Sequence, residues 1–126
     1  MATQEEMNKP ILDAARIGDV KSVEEWINKK ADVNCQEDGL NGQRPLHWAA
    51  WNAKTDKVLI ELLIKSGASL NKDNYSGETP LHTAVYYGRT EAVYILIKKG
   101  ASLSVVDCNV IKPSVKLRKS TIKPFK

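Results

Sequence analysis

The chain is poor in the residues with which small proteins do chemistry. Its 126 residues include two histidines, two cysteines, two methionines and one phenylalanine. Around His47 and His82 no second histidine, cysteine or carboxylate stands at metal-ligand spacing, so no metal site is expected. A glycine-rich phosphate loop is absent, and a Ser/His/Asp or Cys/His set would have to be assembled from distant segments. Neither an enzyme nor a cofactor is expected. No run of eighteen apolar residues exists, so no membrane insertion is expected either. The start, Met1 to Glu6, is polar and acidic rather than signal-like.

What the chain does have is repetition. Arg44-Pro45-Leu46-His47-Trp48-Ala49-Ala50 recurs 35 residues later as Thr79-Pro80-Leu81-His82-Thr83-Ala84-Val85, and Pro113 follows after another 33. A diverged copy begins at Pro10-Ile11-Leu12-Asp13-Ala14-Ala15. The unit endings repeat as well: Gly67-Ala68-Ser69-Leu70-Asn71 answers Gly100-Ala101-Ser102-Leu103-Ser104. A fixed period of this size signals stacked supersecondary units that bury a core only by stacking. Within a unit, Leu81, Ala84 and Val85 lie at i, i+3 and i+4, and Val93, Leu96 and Ile97 repeat the offsets, so each unit is two short helices.

These residues closely resemble the ankyrin repeat, whose T-P-L-H-x-A motif is matched at every fixed position by Thr79 to Ala84. The expected fold is an all-α solenoid of antiparallel helix pairs joined by β-hairpin-like fingers. The repeat domain is expected over 1–107, with repeats near 8–36, 37–73 and 74–106; an incomplete fourth unit and a basic tail occupy 108–126. Pro45, Leu46, His47, Thr79, Pro80, Leu81 and His82 are the motif residues, and the resemblance implies that each imidazole ties one repeat to the next. Proline suits the first helical turn and a preceding threonine can cap it. Repeat three has Thr79 there, whereas repeats two and one have Arg44 and Lys9, so their helix starts should be less well capped.

Two insertions relative to a period of about 33 fall in turns, where added length costs little. One enlarges the finger around Cys35 to Gly42 and the other the turn from Trp51 to Asp56. Cys35 and Cys108 stand in different fingers, beyond disulfide reach for stacked repeats at about 10 Å each, and are read as free thiols of a reducing compartment. The expected location is the cytoplasm, with the nucleus, or a host cytosol reached by secretion, as alternatives.

The resemblance implies a binding face made of the first helices and the fingers. Its variable positions are Leu40, Asn41, Gln43, Trp51 and Asn52 in repeat two, with Trp48 beside the histidine. In repeat three they are Asp73, Tyr75, Ser76, Glu78, Tyr86 and Tyr87, and in repeat one Arg16 and Ile17. Aromatics bury much area at low rotamer cost, and Trp48, Trp51, Tyr75, Tyr86 and Tyr87 are concentrated there. Trp48 could equally pack as scaffold, and Trp26 occupies a core position. Asn34 and Asn71 resemble the ankyrin asparagine that is hydroxylated in some members; the alternative is that they satisfy turn backbone.

The six basic residues after Asp107 carry +6 of charge, leaving −2 for the repeats. A solubilising end, a nuclear-import or nucleic-acid patch and a partner-binding arm are the readings of that tail; with Phe125 alone to stack, nucleic acid is not favoured. The function expected is a monomeric, non-enzymatic protein-binding module. The alternative is the targeting or adaptor part of a larger machine, such as a ubiquitin-ligase adaptor or a secreted host-directed effector.

Overall fold

The computed structural model describes residues 3–52 and 57–103, and there the chain forms six helices and no strand. They are α1 (Gln4–Ile17), α2 (Val20–Asn28), α3 (Pro45–Trp51), α4 (Lys57–Lys65), α5 (Pro80–Tyr86) and α6 (Thr90–Lys98). Contacts run α1 to α3 to α5 in one layer and α2 to α4 to α6 in a second, with each odd helix against the even helix that follows it. This is the all-α repeat solenoid expected from the period. Of the stripes that the spacing identified, Leu81, Ala84, Val93 and Leu96 are buried between the layers with Ile11, Leu46, Leu59, Ile60 and Leu63, whereas Val85 is half-buried and Ile97, on the outer side of α6, is exposed. The enlarged turn at 53–56, Cys108 and the segment 108–126 lie outside the described residues.

Helix α3 and helix α5 begin at Pro45 and Pro80, as the motif predicts, because the missing proline N–H has no intrahelical partner in the first turn. Thr79 Oγ1 accepts the His82 N–H at 3.4 Å. Arg44 presents no acceptor, and its side chain does other work. Repeat one departs from expectation: α1 starts at Gln4, six residues before Pro10, which lies inside the helix. The reason is a capping box at Thr3, whose Oγ1 accepts from Glu6 N at 3.1 Å while the Glu6 carboxylate accepts from Thr3 N at 2.8 Å. Two orphan donors are satisfied there, and Pro10 removes only one later bond.

Histidine, arginine and asparagine side chains hydrogen-bond across the boundaries between successive repeats. His47 Nδ1 accepts the Arg44 N–H at 3.3 Å, which leaves the ring proton on Nε2 to be donated to the Glu78 carbonyl at 2.7 Å. The Arg44 guanidinium donates to the Asp73 carbonyl at 2.7 Å and the Asn34 carbonyl at 2.9 Å. Asn34 donates to the Gly67 carbonyl at 3.0 Å and accepts the Ser69 N–H at 2.7 Å, and Asn71 accepts the Ser102 N–H at 2.8 Å. The repeated asparagine therefore satisfies turn backbone, and that backbone belongs to the next repeat.

Between the fingers, Tyr75 N–H bonds the Asn41 carbonyl at 2.9 Å. Leu40, Asn41 and Gly42 are all left-handed, and a Cβ on Gly42 would stand 2.6 Å from the Tyr75 ring. Glycine is needed there because the ring lies directly on the backbone.

Burial pushes the Cys35 thiol up to about 12, so it is a neutral, sheltered group. Burial likewise pulls the His47 imidazole down to about 4. The folded state then binds fewer protons than the unfolded chain between about pH 6.5 and 4, so acid in that window favours unfolding. A shift of about 2.5 units corresponds to roughly 3 kcal/mol. Urea melts should show stability falling by about that amount from pH 7 to pH 4, and His47→Gln should flatten that limb of the curve.

Candidate functional site

Three helices of one layer end side by side. Their last residues are Arg16 and Ile17 on α1, Trp51 and Asn52 at the end of α3, and Tyr86 and Tyr87 at the end of α5. Helix ends leave carbonyls without intrahelical partners, and here side chains from the next repeat bond them. Asn52 Nδ2 donates to the Arg16 carbonyl at 2.6 Å, and Arg89 Nε donates to the Trp51 carbonyl at 2.8 Å. A second guanidinium nitrogen of Arg89 reaches the Tyr87 carbonyl at 3.2 Å. The spacing between repeats is thereby set at the ends that carry the variable positions.

On this framework the aromatic side chains form one continuous ladder. Trp48 and Trp51 meet edge to face with centroids 5.4 Å apart, Trp51 and Tyr87 at 6.5 Å, and Tyr86 and Tyr87 at 4.9 Å. Edge-to-face pairs at such distances are attractive. The contact between Trp51 and Tyr87 crosses a repeat boundary. Guanidinium groups lie over two rings of the ladder, Arg16 5.9 Å from the Trp48 ring and Arg89 5.7 Å from the Tyr87 ring. Exposure rises along the ladder: Trp48 is 8% exposed, Tyr87 46% and Tyr86 81%, with Ile17 64% exposed beside them.

The sequence positions assigned to a binding face thus divide into two groups. Trp51, Tyr86 and Tyr87 come together with outward surface, whereas Trp48 is buried beneath them and donates its indole N–H to Glu37 Oε1 at 3.0 Å. Asn52 is spent on the Arg16 carbonyl. In the fingers, Asn41 Nδ2 bonds Ser76 Oγ at 3.0 Å and the Tyr75 hydroxyl donates to the Glu37 carbonyl at 3.0 Å. Gln43 and Glu78 both accept from Asn74 Nδ2 at 3.0 Å. Asp73 faces Arg44 at 3.9 Å, and Leu40 is exposed. Most finger side chains on the inferred face therefore bond one another. Trp26, expected in the core, is half-buried, with the Lys29 ammonium 4.7 Å from its ring.

Sequence reasoning passed over Arg44, Asn74 and Arg89. Asn74 is nearly fully buried, and its Oδ1 accepts from Ser76 N and Glu78 N at 2.9 Å each, which shapes the second finger. An Asn-x-Ser-Gly run is a turn signal that could have found it. Among the described residues no group of three or more His, Cys, Asp or Glu side chains could hold a metal ion, and no helix is long and apolar enough to cross a membrane. An open groove of about 1130 Å³ is bordered by α1, α2 and the first finger.

The family model for ankyrin repeats, in three copies, matches residues 11–107. The chain belongs to the ankyrin-repeat family. Ankyrin repeats are in general protein–protein interaction modules and in general non-enzymatic. Among curated relatives, the chain is 34% identical over 65 residues to "Ankyrin repeat domain-containing protein 40" of Homo sapiens and 32% identical over 65 residues to that of Mus musculus. Each match covers 52% of this chain and 17% of the relative. The ankyrin identity explains the placement of both histidines. His82 Nδ1 accepts the Thr79 N–H at 3.0 Å with Thr79 Oγ1 at 2.9 Å, while His47 bridges to repeat three.

Arg89 is the residue on which the outer half of the ladder rests. Arg89→Leu leaves two helix-end carbonyls without their donors and should destabilise the repeats by about 1–3 kcal/mol. The Trp51 emission should also shift as its environment loosens, both effects being readable in one denaturation series followed by fluorescence. Arg89→Lys should recover only part of the loss, because an ammonium lacks the planar fork.

Proposed function

We propose that this chain is a non-enzymatic binding module that holds a partner protein on the face formed by the ends of α1, α3 and α5. The observation that carries this reading is the ladder from Trp51 through Tyr87 to Tyr86. Large aromatic area stands exposed there on a backbone whose helix-end carbonyls are already bonded. Rigid aromatics of this kind dominate interface energetics because they lose little rotamer freedom on binding. Three repeats offer on the order of 800 Å² per partner, which is the standard interface size. Family membership supports the same reading at the level of protein binding. Occupancy of this face would block or recruit the partner, and the module would act as a monomer in the cytoplasm. A role as the targeting part of a larger machine would use the same surface and differ only in what is attached to it.

The triple variant Trp51→Ala, Tyr86→Ala, Tyr87→Ala separates binding from folding. It should melt as a cooperative repeat protein with a loss of no more than about 2 kcal/mol, and its affinity for crosslinked partners should fall at least about thirtyfold. Retention of every crosslinked partner by the folded variant would refute the assignment of the face.

A further inference from the structure

The hydrogen-bonding inventory of the ladder is lopsided. Carbonyls at helix ends are the natural acceptors for a bound backbone N–H, but those of Arg16, Trp51 and Tyr87 already accept from Asn52 and Arg89. The carboxylates that touch the ladder or its arginines are also committed, Asp13 to Arg16 at 3.1 Å and Glu37 to the Trp48 indole at 3.0 Å. Among the described residues the Trp51 indole N–H and the hydroxyls of Tyr86 and Tyr87 make no hydrogen bond, and the remaining terminal nitrogen of Arg89 is open as well. The face therefore offers unbonded donors and perpendicular rings, while these carbonyls and carboxylates each already hold a hydrogen bond.

A ligand that fits this face brings acceptors to those donors and a rigid surface to the rings. Among peptide backbones, one rich in proline does this, because each proline keeps its carbonyl and lacks an N–H. Its left-handed extended form leaves every carbonyl outward and is already ordered before binding. At about 3.1 Å per residue, some four residues span the accessible rings from Trp51 to Tyr86, whose successive centroids lie 6.5 and 4.9 Å apart. Arg16 is paired with Asp13, but Arg89 has no carboxylate partner among the described residues and adds positive charge beside Tyr87, which favours an acidic flank.

We propose that the inner-helix face binds an extended, proline-rich segment of a partner protein flanked by an acidic residue. This rests on the reading of that face given under the proposed function.

The test uses the full chain and a fluorescein-labelled peptide pool, Glu-x-Pro-x-Pro-Pro-x-Pro, with x randomised, beside the same pool with alanine for every proline. Saturable polarisation at micromolar protein is expected, at least about tenfold weaker for the alanine pool. Trp51→Phe, which keeps a ring and removes the indole N–H, should weaken binding about three- to tenfold, the equivalent of one net hydrogen bond. In wild type the Trp51 indole N–H resonance should move on titration. No saturable binding below millimolar protein, or equal binding of both pools, overturns the proposal. So does sedimentation showing a self-associating chain that Tyr86→Ala makes monomeric, since the occupant is then a second copy. If the proline pool fails while the triple alanine variant still loses its crosslinked partners, the binding face stands and only its ligand chemistry falls. If that variant keeps its partners, the face itself is wrong.

Discussion

The buried bond from His47 Nε2 to the Glu78 carbonyl is the contact on which the stack depends. A helix pair of this length cannot bury its apolar stripe alone, so stability resides at the boundaries between repeats. At the boundary between repeats two and three a neutral imidazole joins backbone of one repeat to backbone of the next, and it must be neutral because Nδ1 accepts while Nε2 donates. Protonating it would abolish the acceptor and place an unpaired charge in the core. Arg44 and Asn34 run beside it across the boundaries on either side of repeat two, and they bond carbonyls that no helix or sheet ladder provides for. The apolar core between the layers is shared out among repeats, but its register is set by these polar contacts.

The fold was legible because period, proline position and apolar offsets all report the same local geometry. Pro45 and Pro80 could be placed at helix starts from the sequence, since the constraint on proline is local. Pro10 misled for a related reason: the phase put a helix start there, while the stronger signal, Thr3 and Glu6 three apart, lay outside the repeat and was not weighed. The site was legible in part. Trp51, Tyr86 and Tyr87 could be assigned to the surface because no stripe position needed them. Trp48, three residues before Trp51, could not be sorted, because whether it is buried turns on Glu37 eleven residues away. Arg44 and Arg89 were illegible for a similar reason, as their acceptors lie 29 and 38 residues distant. Local rules find elements; they do not find the partners of a long polar side chain.

The finger residues illustrate a second limit. A position that varies between repeats is open to a partner only if its own neighbours do not claim it. Asn41, Ser76 and Tyr75 are claimed by the adjacent finger, and the left-handed run at Leu40 to Gly42 is what brings them within reach. The enlarged first finger thus uses its extra length to contact the second. Polar side chains already bonded to one another contribute less to binding than rings with free faces, because each would have to exchange one satisfied bond for another.

The ladder is a property of the stack and of no single repeat. Tyr86 and Tyr87 share a repeat, but Trp51 belongs to the one before, and Arg89 reaches back across the same boundary to the carbonyl of Trp51. The distance between Trp51 and Tyr87 is therefore governed by the boundary that His47 closes on its other side. Anything that slackens that boundary widens the ladder before it exposes the core, since edge-to-face contact between two rings fails over a shorter displacement than the burial of Leu63 or Leu96. A partner that grips both rings gains the converse: it ties repeat two to repeat three from outside, so binding and boundary stability are linked by the same free energy.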